Sequence, residues 1–123
     1  MKHTKITDHI YGTDIILCIG EDKEFISFVK KNFTDLVDVV EQSLESECLG
    51  LTCLNPNTKT IVIYFWNNQD KNRLLNTVTH ELFHATHAIM TRVGIKLSDD
   101  SEEAYAYLIG YLTQKTLNFL QLN

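Results

Sequence analysis

The chain lacks long apolar runs, basic clusters and linker-like stretches. Its 123 residues include one proline and five glycines, which leaves little sequence for a flexible linker and predicts a single domain over residues 1–123. The longest apolar run near the N-terminus, residues 15–19, is too short for a membrane span or a signal-peptide core. A formal net charge of −5 with no Lys/Arg cluster argues against nucleic acid and against an anionic membrane surface as partners.

Cysteine is also scarce. Cys18, Cys48 and Cys53 form no C-x-x-C pair, and three thiols cannot all pair within one chain. We therefore expect reduced, buried thiols in a cytoplasmic protein. A zinc site that contains cysteine is the alternative.

The first half of the chain has the patterns of a small sheet and the helices that cover it. Residues 6–20 are typical of one or two short strands with a turn at residues 11–14, and residues 21–46 are typical of one helix or of two broken near residues 32–34. Two apolar runs, residues 48–54 and 60–66, flank an Asn-Pro-Asn turn and predict a β-hairpin whose second strand is apolar on both faces. The expected fold class is α+β with a short mixed or antiparallel β-sheet.

The second half contains the motif H-E-x-x-H, from His80 to His84, within a helix predicted over residues 71–93. Residues i and i+4 share a helix face, so both imidazoles can bind one Zn²⁺. Glu81 lies about 100° further round the helix, where it can reach a metal-bound water as a general base. These positions predict a zinc site that carries its own base.

The histidines are separated from the main apolar stripe of this helix. His80, His84, His87 and Thr91 form their own stripe, whereas the core stripe consists of Leu75, Val78, Leu82, Ala85, Ile89 and Val93. A third side, which includes Phe83 and Met90, is also partly apolar. The histidine stripe is therefore expected to face a cleft or another element.

A following helix, predicted over residues 101–120, begins with Glu102 and Glu103. Glu103 shares its face with Ala106 and Gly110, small residues that would let two helices approach closely. A carboxylate has a short reach to zinc, so close approach favours Glu103 as a third ligand, with Glu102 as the alternative. Both also suit the first turn of a helix, where acidic side chains oppose the helix dipole.

The motif, followed after 18 residues by Glu103-Ala104-Tyr105-Ala106, resembles the core of gluzincin-type zinc metallopeptidases. The E-x-x-A form and the small size are similar to compact zincin-like proteins of the ImmA/IrrE or phage and prophage type. The resemblance covers about residues 60–115. In metzincin-type proteases a glycine and a third histidine ligand follow the second histidine of the motif. His87 and Met90 occupy these two positions here, so the chain does not match that class.

The resemblance implies a zincin-like domain whose active-site helix and following C-terminal helix pack on the sheet. It implies His80, His84 and Glu103 as zinc ligands and Glu81 as the base in peptide-bond hydrolysis of a peptide or protein substrate. A residue that donates a hydrogen bond to the oxyanion of the transition state is also expected. Four residues of the two helices are candidates for it: Tyr105, Tyr107, Tyr111 and His87. Tyr107 also stands where the larger enzymes carry an aspartate that orients a ligand histidine.

Only about twenty residues follow Glu103, whereas the larger gluzincins add a second domain that completes the cleft. A partner or a second subunit is the expected substitute. The alternative function is a zincin-like regulatory or binding module that holds zinc with little or no peptidase activity. An interaction protein without metal is the third hypothesis, and it leaves the geometry of the motif unexplained.

Overall fold

The computed structural model describes residues 1–122, which form a four-stranded mixed β-sheet with helices on both faces. The strands are β1 (Lys2–Asp8), β2 (Thr13–Gly20), β3 (Gly50–Leu54) and β4 (Ile61–Trp66), in the spatial order β1-β2-β4-β3. The helices are α1 (Asp22–Asn32), α2 (Val37–Leu44), α3 (Lys71–Arg92) and α4 (Glu102–Leu120), and a 3₁₀ turn, Thr34–Leu36, precedes α2. The predicted α+β class is confirmed.

The sheet combines two antiparallel pairs with one parallel pair. β1 pairs with β2 and β3 pairs with β4 in antiparallel hairpins, whereas β2 and β4 run parallel, with Leu17 opposite Ile63. Parallel neighbours need a long crossover, which α1, α2 and β3 supply here. β4 is therefore central and buried on both faces, as its apolar run predicts, and β3 is an edge strand.

Each face of the sheet has its own hydrophobic core. On one face α1 and α2 contribute Phe25, Val29 and Val40, which pack with Tyr64 and Val62 of β4. The opposite core is larger and joins the sheet to the buried sides of α3 and α4. Its buried residues are Ile15, Leu17, Ile61, Ile63, Phe65, Leu74, Val78, Leu82, Ala85, Ile89, Met90, Tyr105, Leu108 and Leu112.

Helix α3 begins and ends where its sequence predicts. The Asp70 side chain accepts a hydrogen bond from the Arg73 amide, which caps the N-terminus, and Gly94 adopts a φ of 80° just after the last turn. Two residues of the predicted core stripe are not buried: Val93 is 40% exposed, because it lies at the C-terminal cap, and Leu75 is half-buried, with Leu74 in the core in its place. Glu81, Thr86 and Met90 are buried instead.

None of the helices within residues 1–122 is both long and apolar enough to cross a bilayer. The thiols of Cys18 and Cys53 are buried, Cys48 is half-buried, and all three cysteines are free, as the sequence predicts. Burial raises the pKa of Cys18 and of Cys53 to about 12.

Candidate metal centre beside an edge strand

The two histidines of H-E-x-x-H lie side by side on the exposed face of α3. Their Nε2 atoms are 3.2 Å apart and form a hydrogen bond, and their ring planes meet at 72°. Two nitrogens that each lie about 2.0–2.1 Å from a tetrahedral zinc ion are themselves about 3.3–3.4 Å apart. The imidazoles of His80 and His84 thus hold their nitrogens nearly as far apart as one shared zinc ion requires.

Glu81 points away from solvent and towards the sheet. Its side chain is only 5% exposed, and its Oε2 accepts a hydrogen bond from the Thr52 hydroxyl at 2.9 Å. The same hydroxyl lies 3.2 Å from the backbone carbonyl oxygen of Glu81. The two imidazoles of the motif are therefore exposed, whereas the carboxylate of Glu81 is buried and hydrogen-bonded to β3.

An open groove of about 530 Å³ runs between β3 and α3. Leu51, Thr52 and Leu54 line it from the strand, and Glu81, His84, His87, Ala88, Thr91 and Arg92 line it from the helix. β3 pairs with β4 on one side only, so its free edge is available beside this groove. The groove therefore has a free strand edge on one side and His84 and His87 on the other.

Gly50 lets the edge strand lie this close to the helix. A Cβ atom built at this position would be 2.5 Å from Thr77 Cγ2 and 3.0 Å from Glu81 Cγ. Because alternate residues of a strand share a face, Gly50 and Thr52 both face α3. The missing side chain at Gly50 brings Thr52 within hydrogen-bonding distance of Glu81.

The expected third ligand is not brought to the two histidines. Glu102 and Glu103 are both exposed in the first turn of α4. Across residues 1–122 no group of three or more His, Cys, Asp or Glu side chains is arranged to hold a metal ion. Two imidazoles are one short of the three protein ligands of a catalytic zinc site, and the assignment of Glu103 as the third ligand stays a prediction.

The packing argument that favoured Glu103 over Glu102 is wrong. Glu103, Ala106 and Gly110 lie on the exposed side of α4, and a Cβ atom at Gly110 would meet nothing within 4 Å. The buried side of α4 instead carries Tyr105 and three residues further along the helix, Leu108, Leu112 and Thr116. Large side chains, not small ones, make the contact of α4 with the core.

Among the four candidate transition-state donors, His87 alone lines the groove. The hydroxyl groups of Tyr105 and Tyr111 donate to backbone carbonyls, of Ile95 at 2.7 Å and of Thr7 at 3.0 Å. Tyr107 is 76% exposed and lines a different depression, beside the β1–β2 turn. His87 is exposed and stacks on the ring of Phe83.

Thr52 and Gly50 belong to the candidate site, although neither was predicted from the sequence. Thr52 is 29 residues from Glu81, and a threonine in a strand has no feature that indicates such a partner. Gly50 did carry a signal, since a glycine inside a strand pattern often marks a close approach of another backbone or helix.

Arg92 lies at the far end of the groove. Its guanidinium group donates to the carbonyl oxygens of Tyr11 and Lys59, and these bonds connect α3 to two turns.

Comparisons of the chain with protein-family models, with curated proteins and with solved structures give no match. The function is therefore argued from the residues of the site.

Proposed function

We propose that the protein is a zinc-dependent metallopeptidase whose centre is formed by His80 and His84, with Glu103 as third ligand and Glu81 as general base. The observation that carries the proposal is the 3.2 Å separation of the two Nε2 atoms, next to a carboxylate at the same helix turn. A zinc ion held there would supply Lewis acidity, which polarises a carbonyl group and makes water more acidic.

Glu81 supplies the proton transfer. Its Oε2 accepts the hydrogen bond from Thr52, and Glu81 is one of the residues that line the groove. Its carboxylate is thus the group that takes a proton from the attacking water and delivers it to the leaving amine.

The substrate in this proposal is an extended peptide that pairs with the free edge of β3. Strand addition supplies main-chain hydrogen bonds, and the groove beside Leu51 and Leu54 accepts side chains. The groove is open, so a partner protein or a second copy is proposed to complete it. A cytoplasmic location belongs to the same proposal, since three free thiols suit a reducing compartment.

A second candidate is a zinc-binding module without peptidase activity. The burial of Glu81 and its bond to Thr52 favour this candidate, because a catalytic base must reach the reacting water. The same burial is compatible with catalysis only if the water reaches the carboxylate from the groove that Glu81 lines.

The test measures zinc and hydrolysis on the same samples. Zinc is counted by inductively coupled plasma mass spectrometry, and hydrolysis is followed with a mixture-based library of quenched-fluorescent peptides. We expect one zinc per chain in the wild type, none in His80→Ala/His84→Ala, and normal zinc in His9→Ala, which changes an exposed histidine away from the groove.

Glu81→Gln separates the two candidates. If Glu81 is the base of a peptidase, this variant keeps its zinc and its rate of hydrolysis falls by at least about a hundredfold. A wild type that binds zinc but cleaves no peptide would instead establish the binding module. Loss of zinc in Glu103→Gln, with zinc retained in the adjacent Glu102→Gln, would support Glu103 as the third ligand. Loss of zinc in Glu102→Gln alone would instead assign Glu102.

A further inference from the structure

The threonine hydroxyls of the helix that faces β3 make mostly local contacts. Thr86 donates to the carbonyl oxygen of Leu82, four residues earlier in α3, and Thr77 donates to the Arg73 carbonyl oxygen and to the side chain of Gln69. The Thr86 bond orients no group elsewhere in the fold. Thr52 instead joins an edge strand to a carboxylate on the facing helix.

Glu81 depends on this one hydroxyl. Neither of the ion pairs within residues 1–122 involves Glu81, and the Thr52 hydroxyl is the donor to its carboxylate in that part of the chain. Burial of a carboxylate costs much more free energy when its hydrogen-bond donor is removed, so the side chain then moves towards water. The position of the carboxylate is therefore set by β3.

The contact also fixes the position of one carboxylate oxygen. A threonine hydroxyl has one proton, which is shared between Oε2 and the backbone oxygen of Glu81. Oε2 is therefore held at the strand, and Thr52 and Glu81 line the same groove. The close approach of β3 at Gly50 keeps this arrangement in place.

We propose that Thr52 is a positioning residue, which holds the carboxylate of Glu81 at the groove where the substrate is cleaved. This inference rests on the proposed peptidase function. In this account the backbone of β3 pairs with the substrate, whereas the hydroxyl of Thr52 binds no metal and acts through Glu81. Partners that orient the groups of a metal site typically contribute about 10–100-fold in activity.

The first measurement needs neither zinc nor substrate. A double-mutant cycle of Thr52→Val and Glu81→Met in the metal-free protein, followed by urea unfolding, gives the coupling between the two side chains. We expect a coupling of about 10–150-fold in the unfolding equilibrium constant, as for a hydrogen bond to a charged group. Thr86→Val paired with Glu81→Met serves as control and should show no coupling. A coupling within error of zero for Thr52 would overturn the proposal.

The second measurement uses the zinc-loaded protein and the library peptide that the wild type cleaves fastest. Thr52→Val should lower kcat about 10–100-fold with little change in KM or zinc content, and Thr52→Ser should restore most of the rate. Thr86→Val should cleave at the wild-type rate. A Thr52→Val variant as active as the wild type would overturn the positioning role while leaving the peptidase function standing. A wild type without hydrolysis would overturn the peptidase function and the positioning role together, and the coupling would then describe a structural contact.

Discussion

Substitution of Gly50 by alanine tests how the edge strand is fitted against α3. The added methyl group would lie 2.5 Å from Thr77 Cγ2, 3.0 Å from Glu81 Cγ and 3.2 Å from the Tyr64 carbonyl oxygen. The first distance is shorter than any real contact between carbon atoms, and one of the three neighbours is backbone. β3 or the side chains of α3 must therefore move.

Overpacking of this kind costs about 1–3 kcal/mol. At about 4 °C per kcal/mol for a chain of this size, Gly50→Ala should lower the midpoint of thermal unfolding by about 4–12 °C. The midpoint is measured by circular dichroism on the metal-free protein, so that zinc does not contribute.

Gly110→Ala is the matched control. The same substitution in the middle of α4 meets nothing within 4 Å. Because alanine is a better helix former than glycine, this variant should be about 0.5–1 kcal/mol more stable than the wild type. The reasoning is refuted if Gly50→Ala unfolds at or above the wild-type temperature, or if both variants lose stability equally.

Three further outcomes follow from the buried polar and thiol groups. Tyr105→Phe should destabilise the protein by about 1 kcal/mol in urea unfolding, because the Ile95 carbonyl oxygen loses its donor, and should leave hydrolysis unchanged; a large loss of rate would place Tyr105 in the site. Burial raises the pKa of Cys18 and Cys53 from 9.0 to about 12, so the unfolded chain loses these protons first and stability should fall as the pH rises above about 9. The urea midpoint should therefore decline less steeply from pH 8 to pH 10 in Cys18→Ala/Cys53→Ala, and an unchanged slope would contradict the assignment. Iodoacetamide at pH 8 should label Cys48 first, as the half-buried thiol, and rapid labelling of all three in the native protein would contradict the packing described.

The order and type of the elements could be predicted from local patterns. The apolar, β-branched run of β2, the Asn-Pro-Asn turn before β4 and the Asp70 cap of α3 each follow from one short stretch of sequence. The central place of β4 was predictable for the same reason, since a strand that is apolar on both faces has to be covered twice.

The relation between the two C-terminal helices could not be predicted in this way. Periodicity shows which residues of α4 share a face, but it does not show which face meets the core. The stripe with Glu103, Ala106 and Gly110 is exposed, and the stripe with Tyr105 is buried. Burial of large apolar side chains gains more free energy than a close contact between small residues, and this decides the orientation of α4.

Only the part of the candidate site that lies within helix α3 could be predicted from the sequence. The pairing of His80 with His84 follows from helix geometry alone, and the structure brings their nitrogens together. The anchoring of Glu81 by Thr52 depends on how a distant strand packs against α3, which no local pattern encodes.

Anomalous diffraction at the zinc edge, from crystals grown with one equivalent of zinc, tests the central claim most directly. The account predicts one strong peak about 2.0–2.1 Å from both His80 Nε2 and His84 Nε2, with a carboxylate oxygen of Glu103 completing the protein ligands. Zinc found only at other side chains, or no peak at these two histidines, would contradict the claim.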